Sequence, residues 1–283
     1  MAEGPNFGKK RRWQKDLNEC LAKVRAANSN VPPATKTIYF VRHAESKSNV
    51  AKTNMKNKPI RGCCTLCTIG FDSELSEGGR NQLLEVRPAG RGIEAELEAV
   101  IFSPLKRAEQ TALTLFGDED GEGDFKASAG KFWLPVRALK EVRMKEWAQS
   151  SACCSKSILQ QRVLSFIRFV RVLPFSTLAL VGHSRFFRMM LAMLECDMFL
   201  RNANIWRTSL VEGGDAGLHV ATKELVARPS GQPCDEPPPK APPKAPPEAS
   251  PKPEEAGGGS VAEEDGAAEE NERPAGPEVP KER

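Results

Sequence analysis

Histidine, tyrosine and long apolar runs are scarce in this sequence of 283 residues. It contains three histidines and one tyrosine, and aromatic residues make up 6% of the chain. No apolar run approaches the roughly 18 residues that a membrane-spanning helix needs, so we expect no membrane span. The first residues, MAEGPNFGKKRRW, are polar and basic and lack the apolar core of a secretory leader. These absences favour a cytoplasmic protein, and a hydrophobic content of 40% is enough to build a core.

Eight cysteines are present, and without a secretory leader they are expected to be reduced thiols. The spacing of Cys64 and Cys67 is compatible with a zinc knuckle, and Cys63 lies beside them. A second pair, Cys153 and Cys154, is adjacent rather than separated by two residues, which is atypical of structural zinc sites. Incidental thiols are therefore the favoured interpretation, and we predict no bound metal.

Charge divides the chain into a basic part and an acidic tail. Residues 229–283 hold 14 of the 22 prolines, with 13 acidic and 6 basic side chains, a net charge of −7. The whole chain carries +4, so residues 1–228 carry about +11. The tail is too poor in apolar residues to fold, so we predict that it is disordered and available to SH3- or WW-type partners. The basic part favours an anionic substrate or partner, although self-association with the acidic tail is equally open.

Hydrophobic periodicity predicts alternating helices and strands along residues 13–225. Ser76, Ser103 and Ser184 are predicted helix N-caps, and residues 117–124 are a predicted loop. Strand–helix alternation predicts an α/β fold, a three-layer α/β/α sandwich with a mostly parallel central sheet. The predicted strands are 36–41, 98–103 and 177–182, the predicted helices are 13–27, 75–86, 103–116, 158–173 and 185–195, and an extended segment at 132–139 and a closing hairpin at 204–225 complete the set.

Basic and imidazole side chains lie at the carboxyl ends of the three predicted strands. Arg42 and His43 follow the first strand, Arg107 lies in the helix after the second, and His183 follows the third. Ligands of open α/β sheets bind beyond these strand ends, where helix N-termini also direct positive dipole ends. Because arginine binds phosphate bidentately, the two arginines and two histidines predict a pocket for a doubly charged oxyanion, with phosphate as the best fit.

The motifs that carry these residues resemble those of the histidine phosphatase superfamily, which includes cofactor-dependent phosphoglycerate mutases and fructose-2,6-bisphosphatase-type enzymes. The resemblance covers about residues 36–215 and implies a phosphoglycerate mutase-like fold. Its segments, in the family's order, are RHAES at 42–46 with Asn49, DSELSEGGRNQ at 72–82, SPLKRAEQTA at 103–112, LKEVRMKEW at 139–147 and GHS at 182–184.

With this resemblance we divide the chain into three parts. Residues 1–34 are predicted to be a basic N-terminal extension with an accessory helix, residues 35–228 a histidine phosphatase-like domain, and residues 229–283 the disordered tail. The basic cluster at 9–12 is a candidate nuclear address, but a solvated basic arm is the favoured interpretation.

The resemblance implies a role for each matched side chain. His43 matches the nucleophile that becomes a phosphohistidine, and Arg42 and Arg107 match the phosphate-binding arginines. His183 matches the second pocket histidine, and Glu141 matches the carboxyl that donates a proton to the leaving oxygen. No metal or other cofactor is implied, since arginines supply the positive charge. Further candidates are Asn49 for the phosphoryl oxygens, Glu146 as an alternative to Glu141, and Arg61 and Arg185 for other anionic groups of the substrate.

Together these features predict a phosphomonoester hydrolase for an anionic phosphorylated metabolite or phosphoprotein, without a nucleic acid partner. Only 42 positions separate Glu141 from His183, too few for the long insertion of the family's mutases. Residues 63–67 also replace a Phe-Gly-Trp stretch common in mutases. A separate departure, the Gly90-Arg91-Gly92 region in place of an uninterrupted family helix, bears on neither activity. A phosphoglycerate mutase-type phosphotransferase is thus the less favoured alternative. A non-catalytic phosphate-binding module is another, although it would need neither nucleophile nor proton donor.

Overall fold

A computed structural model describes residues 12–57, 72–121, 124–141 and 158–232. The strands in these ranges are β1 (Thr35–Arg42), β2 (Ala99–Phe102), β3 (Asp118–Glu119), β4 (Phe125–Lys126), β5 (Phe132–Pro135), β6 (Thr177–Gly182), β7 (Ile205–Glu212) and β8 (Leu218–Ala227). The helices are α1 (Arg12–Ala27), α2 (Lys47–Asn57), α3 (Glu77–Glu94), α4 (Lys106–Phe116), α5 (Ile158–Arg171) and α6 (Ser184–Met193), with a 3₁₀ turn at Arg137–Leu139.

The central sheet of the described residues has the strand order β5-β2-β6-β1-β7-β8. Strands β5, β2, β6 and β1 are parallel to one another, and the hairpin β7–β8 extends the sheet beyond β1, with β7 antiparallel to β1. Both the mostly parallel sheet and the closing hairpin are therefore confirmed. Strand β6 lies between β1 and β2, so the carboxyl ends of these three strands meet at one edge.

Helices cover both faces of the sheet, because the side chains of β1 alternate between two hydrophobic clusters. Ile38 and Phe40 join a cluster with α1, α5 and α6, while Tyr39 and Val41 join a cluster with α3 and α4. This arrangement is the predicted three-layer sandwich. The predicted accessory helix α1 belongs to the first layer, since its Leu17, Cys20 and Val24 are buried in that cluster.

Helix α3 confirms one cap prediction and explains an unexpected glycine. The Ser76 hydroxyl accepts a hydrogen bond from the backbone N–H of Gly79 at 3.0 Å, as an N-cap does. The helix continues without a break past Gly90 to Glu94. A Cβ atom at position 90 would lie 2.9 Å from the carbonyl oxygen of Leu115. Gly90 therefore permits close packing of α3 against α4 and does not interrupt the helix.

Two other cap predictions are wrong. Helix α4 begins at Lys106 after Leu105, and Ser103 does not cap it, because the Ser103 hydroxyl is hydrogen-bonded to His183 Nε2 instead. Ser184 is the first residue of α6, and the N-cap position belongs to His183. Within the predicted loop at 117–124, residues 118–119 pair with residues 125–126 as the short ladder β3–β4.

Several predictions concern residues outside the described ranges. They are the candidates Arg61 and Glu146, the cysteines at 63, 64, 67, 153 and 154, most of the basic cluster at 9–12, and residues 233–283. Among the helices that are described, none has the length and apolarity required to cross a bilayer.

Candidate active site

The edge where β1, β2 and β6 end brings together five of the predicted residues. The backbone N–H of His43 donates to the carbonyl oxygen of Gly182 at 3.0 Å, and that of Ser103 donates to Val181 at 3.0 Å. His43, Arg107 and His183 are at most 4% exposed. Because each strand end is held to its neighbour by the sheet, the side chains that follow are fixed relative to one another.

The hydrogen bonds of His43 define its tautomer. Its Nδ1 atom lies 2.7 Å from the carbonyl oxygen of Ala44, which can only accept, so Nδ1 carries the hydrogen. Its Nε2 atom is then unprotonated in the neutral ring and accepts from Nε–H of Arg107 at 3.3 Å. The lone pair of Nε2 is therefore directed toward a guanidinium group. This is the orientation that attack on an electrophile bound by Arg107 requires.

The second imidazole faces the first. The ring centroids of His43 and His183 are 5.0 Å apart, with the rings inclined at 62°. His183 Nε2 lies 2.9 Å from the hydroxyl of Ser103, and its Nδ1 lies 3.8 Å from Oε2 of Glu141. Within the described ranges, His183 Nδ1 is buried and has no hydrogen-bond partner. A ligand bound in this pocket would satisfy that buried nitrogen.

Burial and positive charge keep both histidines neutral. Desolvation is the main cause that lowers the pKa of His43 well below its usual 6.5, and the charges of Arg107 and Arg42 lower it further. Desolvation likewise lowers the pKa of His183, with added contributions from His43 and Arg107. At neutral pH both rings therefore retain a lone pair, which a nucleophilic imidazole needs.

The two predicted arginines are also desolvated but stay charged at neutral pH. Burial lowers the pKa of Arg42 to about 10, and it lowers the pKa of Arg107. The carboxylate of Glu141 opposes both shifts, so its charge acts on both guanidinium groups. Glu141 is thus brought to the same pocket, at the end of the described segment 124–141.

His43, Glu141 and His183 also deserve comparison with a metal site. One ligand atom from each lies within 4.8 Å of the others, a spacing that a metal ion could bridge. However, Arg107 donates to His43 Nε2, the atom that would have to coordinate the ion. A cation there would be repelled by the two guanidinium groups, so the arrangement suits an oxyanion better.

The loop after His43 serves mainly to shape the site. The carbonyl and carboxylate oxygens of Glu45 accept hydrogen bonds from Ser76, which joins this loop to the start of α3. Asn49 Oδ1 accepts from the backbone N–H of Ser46 at 3.1 Å and from its hydroxyl at 2.7 Å. Glu45 and Ser46 therefore shape this turn, and the amide oxygen of Asn49 supports it.

Two residues near the pocket were missed by sequence reasoning. Lys52, one turn after Asn49 in α2, has a pKa lowered mainly by desolvation; the charge of Glu141 opposes this shift, and the charges of Arg107, Arg185 and Arg42 add to it. The charge of the predicted Arg185 thus acts on Lys52. The position of Lys52 in a helix directly after the RHAES motif was the sequence signal that could have identified it.

The other missed residue is Asn202, in the turn between α6 and β7. Its Nδ2 donates to the carbonyl oxygen of His43 at 2.9 Å, and its own carbonyl oxygen accepts from Nε2 of Gln232 at 2.8 Å. Nothing in the local sequence indicates this role, because the contact joins residues 159 positions apart.

Comparison with known proteins gives a match over most of the described part of the chain. Residues 38–212 match the profile of the histidine phosphatase superfamily (branch 1). One relative is phosphoglycerate mutase-like protein 1 from Arabidopsis thaliana, which is 38% identical over 87 residues. That stretch is 30% of this chain and spans only 28% of the relative's length.

Solved structures with a similar fold include two phosphatases. Phosphoserine phosphatase from Entamoeba histolytica, in complex with phosphoserine, is 15% identical with a TM-score of 0.43, covering 68% of this chain and 98% of that one. The protein histidine phosphatase SixA, in complex with tungstate, is 13% identical with a TM-score of 0.39, covering 67% and 97%. These values describe a resemblance of fold and assign no substrate. The profile match covers more than half of the chain, and the chain therefore belongs to the histidine phosphatase superfamily.

Proposed function

We propose that this protein is a phosphomonoester hydrolase that works through a phosphohistidine at position 43. The observation that carries the proposal is the state of His43: a buried, neutral imidazole with its hydrogen fixed on Nδ1 and its Nε2 lone pair facing Arg107. A residue that only bound phosphate would gain nothing from an unprotonated nitrogen on that side.

In the first step the phosphoryl group of the ester is transferred to the protein. The Nε2 lone pair of His43 forms a bond to phosphorus while the bond to the ester oxygen breaks. Arg42 and Arg107 stabilise the charge on the equatorial oxygens, with the amide nitrogen of Asn49 as a further donor. A protonated Glu141 gives its proton to the leaving oxygen, so the alcohol departs neutral.

In the second step water receives the phosphoryl group. Glu141, now a carboxylate, accepts a proton from water as the water oxygen bonds to phosphorus, and the N–P electrons return to His43 Nε2. His183 contributes a hydrogen bond to a phosphoryl oxygen. The Ser103 hydroxyl, 2.9 Å from His183 Nε2, donates to that atom in the tautomer that leaves the hydrogen on Nδ1. Ser103 thus acts as a positioning residue for His183.

The substrate is proposed to be a phosphorylated metabolite or a phosphoprotein, in keeping with the charge of about +11 on residues 1–228. Transfer to water is favoured over a mutase reaction, because only 42 positions separate Glu141 from His183 and leave little chain to retain an intermediate. A phosphoglycerate mutase-type activity would show as isomerisation of phosphoglycerate in the presence of 2,3-bisphosphoglycerate.

The test is hydrolysis of p-nitrophenyl phosphate together with trapping of the intermediate. Wild type is expected to hydrolyse this ester and to give an acid-labile, base-stable phosphoryl adduct that maps to position 43. His43→Ala should show neither adduct nor turnover above about a thousandth of the wild-type rate. A wild type that forms no adduct and is no faster than His43→Ala with a broad panel of phosphomonoesters would instead support a phosphate-binding module.

A further inference from the structure

The peptide group that follows the proposed nucleophile is held at both of its ends by side chains from other parts of the chain. Its carbonyl oxygen, which belongs to His43, accepts a hydrogen bond from Nδ2 of Asn202 at 2.9 Å. Its N–H, which belongs to Ala44, donates to Oγ1 of Thr111 at 3.1 Å. Thr111 lies in α4, 67 positions further along the chain, and is fully buried. The backbone beside the nucleophile is therefore held by a hydroxyl group of a distant helix.

The hydroxyl of Thr111 can donate and accept at the same time, and both capacities are used. Its hydrogen is donated to the carbonyl oxygen of Arg107 at 2.7 Å, one turn earlier in α4. A lone pair of the same oxygen accepts from Ala44. Thr114 makes the corresponding bond to the carbonyl oxygen of Gln110 at 2.8 Å. Threonine often bonds in this way within helices, so the contact with Ala44 is what distinguishes Thr111.

These contacts close a circuit around the imidazole of His43. Ala44 provides the carbonyl oxygen that lies 2.7 Å from Nδ1, and Arg107 donates Nε–H to Nε2 at 3.3 Å. Thr111 is hydrogen-bonded to the backbone of both residues, so it fixes the acceptor on one side of the ring relative to the donor on the other. The Nδ1 acceptor selects the tautomer. A displacement of Ala44 would therefore allow the hydrogen to occupy Nε2, and the lone pair that attacks phosphorus would be lost.

We propose that the hydroxyl of Thr111 is a positioning group of the active site, which holds Ala44 so that His43 keeps its hydrogen on Nδ1 and its lone pair on Nε2. Thr111 acts through the backbone of Ala44 and Arg107 and is not itself a catalytic residue. Its effect on turnover rests on the proposed function, whereas the tautomer of His43 is a property of the resting protein and can be measured without substrate.

The first measurement is the tautomer of His43 in the full-length protein, with nitrogen-15 incorporated into histidine. The chain has three histidines, so comparison with His43→Ala identifies the two ring signals, and nitrogen chemical shifts distinguish a protonated from an unprotonated atom. At neutral pH wild type should show a single tautomer with the hydrogen on Nδ1. Thr111→Val has a side chain of similar size but leaves the buried N–H of Ala44 without its acceptor. It should show a mixture in which Nε2 is also protonated.

The second measurement is steady-state hydrolysis of p-nitrophenyl phosphate. Thr111→Val should lower kcat about 10- to 100-fold, because small displacements of a reacting group have effects of this size, and KM should change by less than about twofold. Thr111→Ser retains the hydroxyl and should keep kcat within about threefold of wild type. The matched control is Thr114→Val, which removes the corresponding hydroxyl of the next turn and should change neither kcat nor the tautomer.

Four results would overturn the role of Thr111. They are a wild type with the hydrogen of His43 on Nε2, a folded Thr111→Val protein that keeps the wild-type tautomer whatever its kcat, an equal loss of kcat in Thr111→Ser, or an equal loss in Thr114→Val. If Thr111→Val does not fold, Thr111→Cys takes its place, since a thiol is a weaker acceptor than a hydroxyl. It should give intermediate values of both quantities, and wild-type values there would also overturn the role.

The proposed hydrolase is judged separately by the adduct at His43. A wild type without adduct or turnover, in which the tautomer still depends on Thr111, would remove the hydrolase and keep the control of the imidazole by this hydroxyl. An active hydrolase with a tautomer that is unaffected by Thr111→Val would do the reverse.

Discussion

Strand β1 carries a cationic side chain near each of its ends, Lys36 buried and Arg42 partly buried, and the two are used differently. Lys36 is 1% exposed, and its Nζ donates to the carbonyl oxygens of Leu173 at 2.6 Å and Phe175 at 2.9 Å. Arg42 donates Nη1–H to Leu200, but its buried Nε–H has no hydrogen-bond partner in the described part of the chain. The Lys36 ammonium group thus donates to backbone carbonyl oxygens, whereas the desolvated Nε–H of Arg42 is available to donate to a ligand.

Desolvation affects both ends of the strand. Burial lowers the pKa of Lys36 to about 8 and that of Arg42 to about 10. A buried charge therefore does not by itself reveal a functional site, since the protein tolerates one at each end. The two cations differ in what accepts their hydrogen bonds. A buried donor without an acceptor lowers the free energy of unfolding, and such a donor is retained where a ligand supplies the acceptor.

Replacing each cation by methionine separates its contribution to catalysis from its contribution to stability, and Arg42→Met should have the largest effect. Loss of a guanidinium that stabilises the transferring phosphoryl group is expected to lower kcat for p-nitrophenyl phosphate about a thousandfold. The free energy of unfolding should change by less than about 1 kcal/mol, because a desolvated charge and one backbone hydrogen bond are lost together. Steady-state kinetics and urea unfolding measure the two quantities, and a large loss of stability would make Arg42 a structural residue.

Lys36→Met should show the opposite pattern. Two carbonyl oxygens lose their donor, so unfolding should become easier by about 2 kcal/mol while kcat of the folded enzyme stays within about twofold. Wild-type stability should also rise as the pH increases from about 8 to 10.5, since the unfolded chain then binds a proton at Lys36 that the folded chain has lost. The variant should lack this rise, and an unchanged pH profile would contradict the role assigned to Lys36.

The two buried histidines extend the comparison to low pH, where the expected change in the free energy of unfolding is smaller. Their folded-state pKa values lie well below 6.5, so the unfolded chain takes up protons first as the pH falls through that value. Stability should therefore decrease below about pH 6.5, with each histidine adding up to about 1.4 kcal/mol per pH unit. His183→Gln should be less steep than wild type in urea unfolding between about pH 7 and 5. Parallel profiles for the two proteins would contradict the buried, neutral state.

The sequence predicted the strand ends well because two independent signals agreed there. Buried strands located Arg42, His43 and His183 at one edge of the parallel strands, and the order of the motifs suggested the roles that are proposed for them. Ser103 was misassigned because Ser-Pro is a strong local signal for a helix start, whereas its actual partner, His183, is 80 residues away. Local sequence rules could not predict this hydrogen bond, because the Ser103 hydroxyl contacts a histidine that follows a different strand.

The remaining misses have the same origin in long-range packing. Gly90 was taken as an interruption of a helix, but it is needed for the approach of α3 to Leu115. The turn at 200–204 contains Ala203 with φ of 59°, a left-handed conformation that no sequence pattern announced. Asn202 does not occupy a periodic position, so its contact with His43 emerges only in the folded chain.

The hydrogen bond from Gln232 to Asn202 joins the last residue that the structure describes to the turn beside the active site. Ser230 donates hydrogen bonds to Glu85, and Gln232 donates to the carbonyl oxygen of Asn202, whose side chain donates to the carbonyl oxygen of His43. A shortened protein should therefore end no earlier than Gln232, because removing that residue takes away one support of the turn that contacts the backbone of His43.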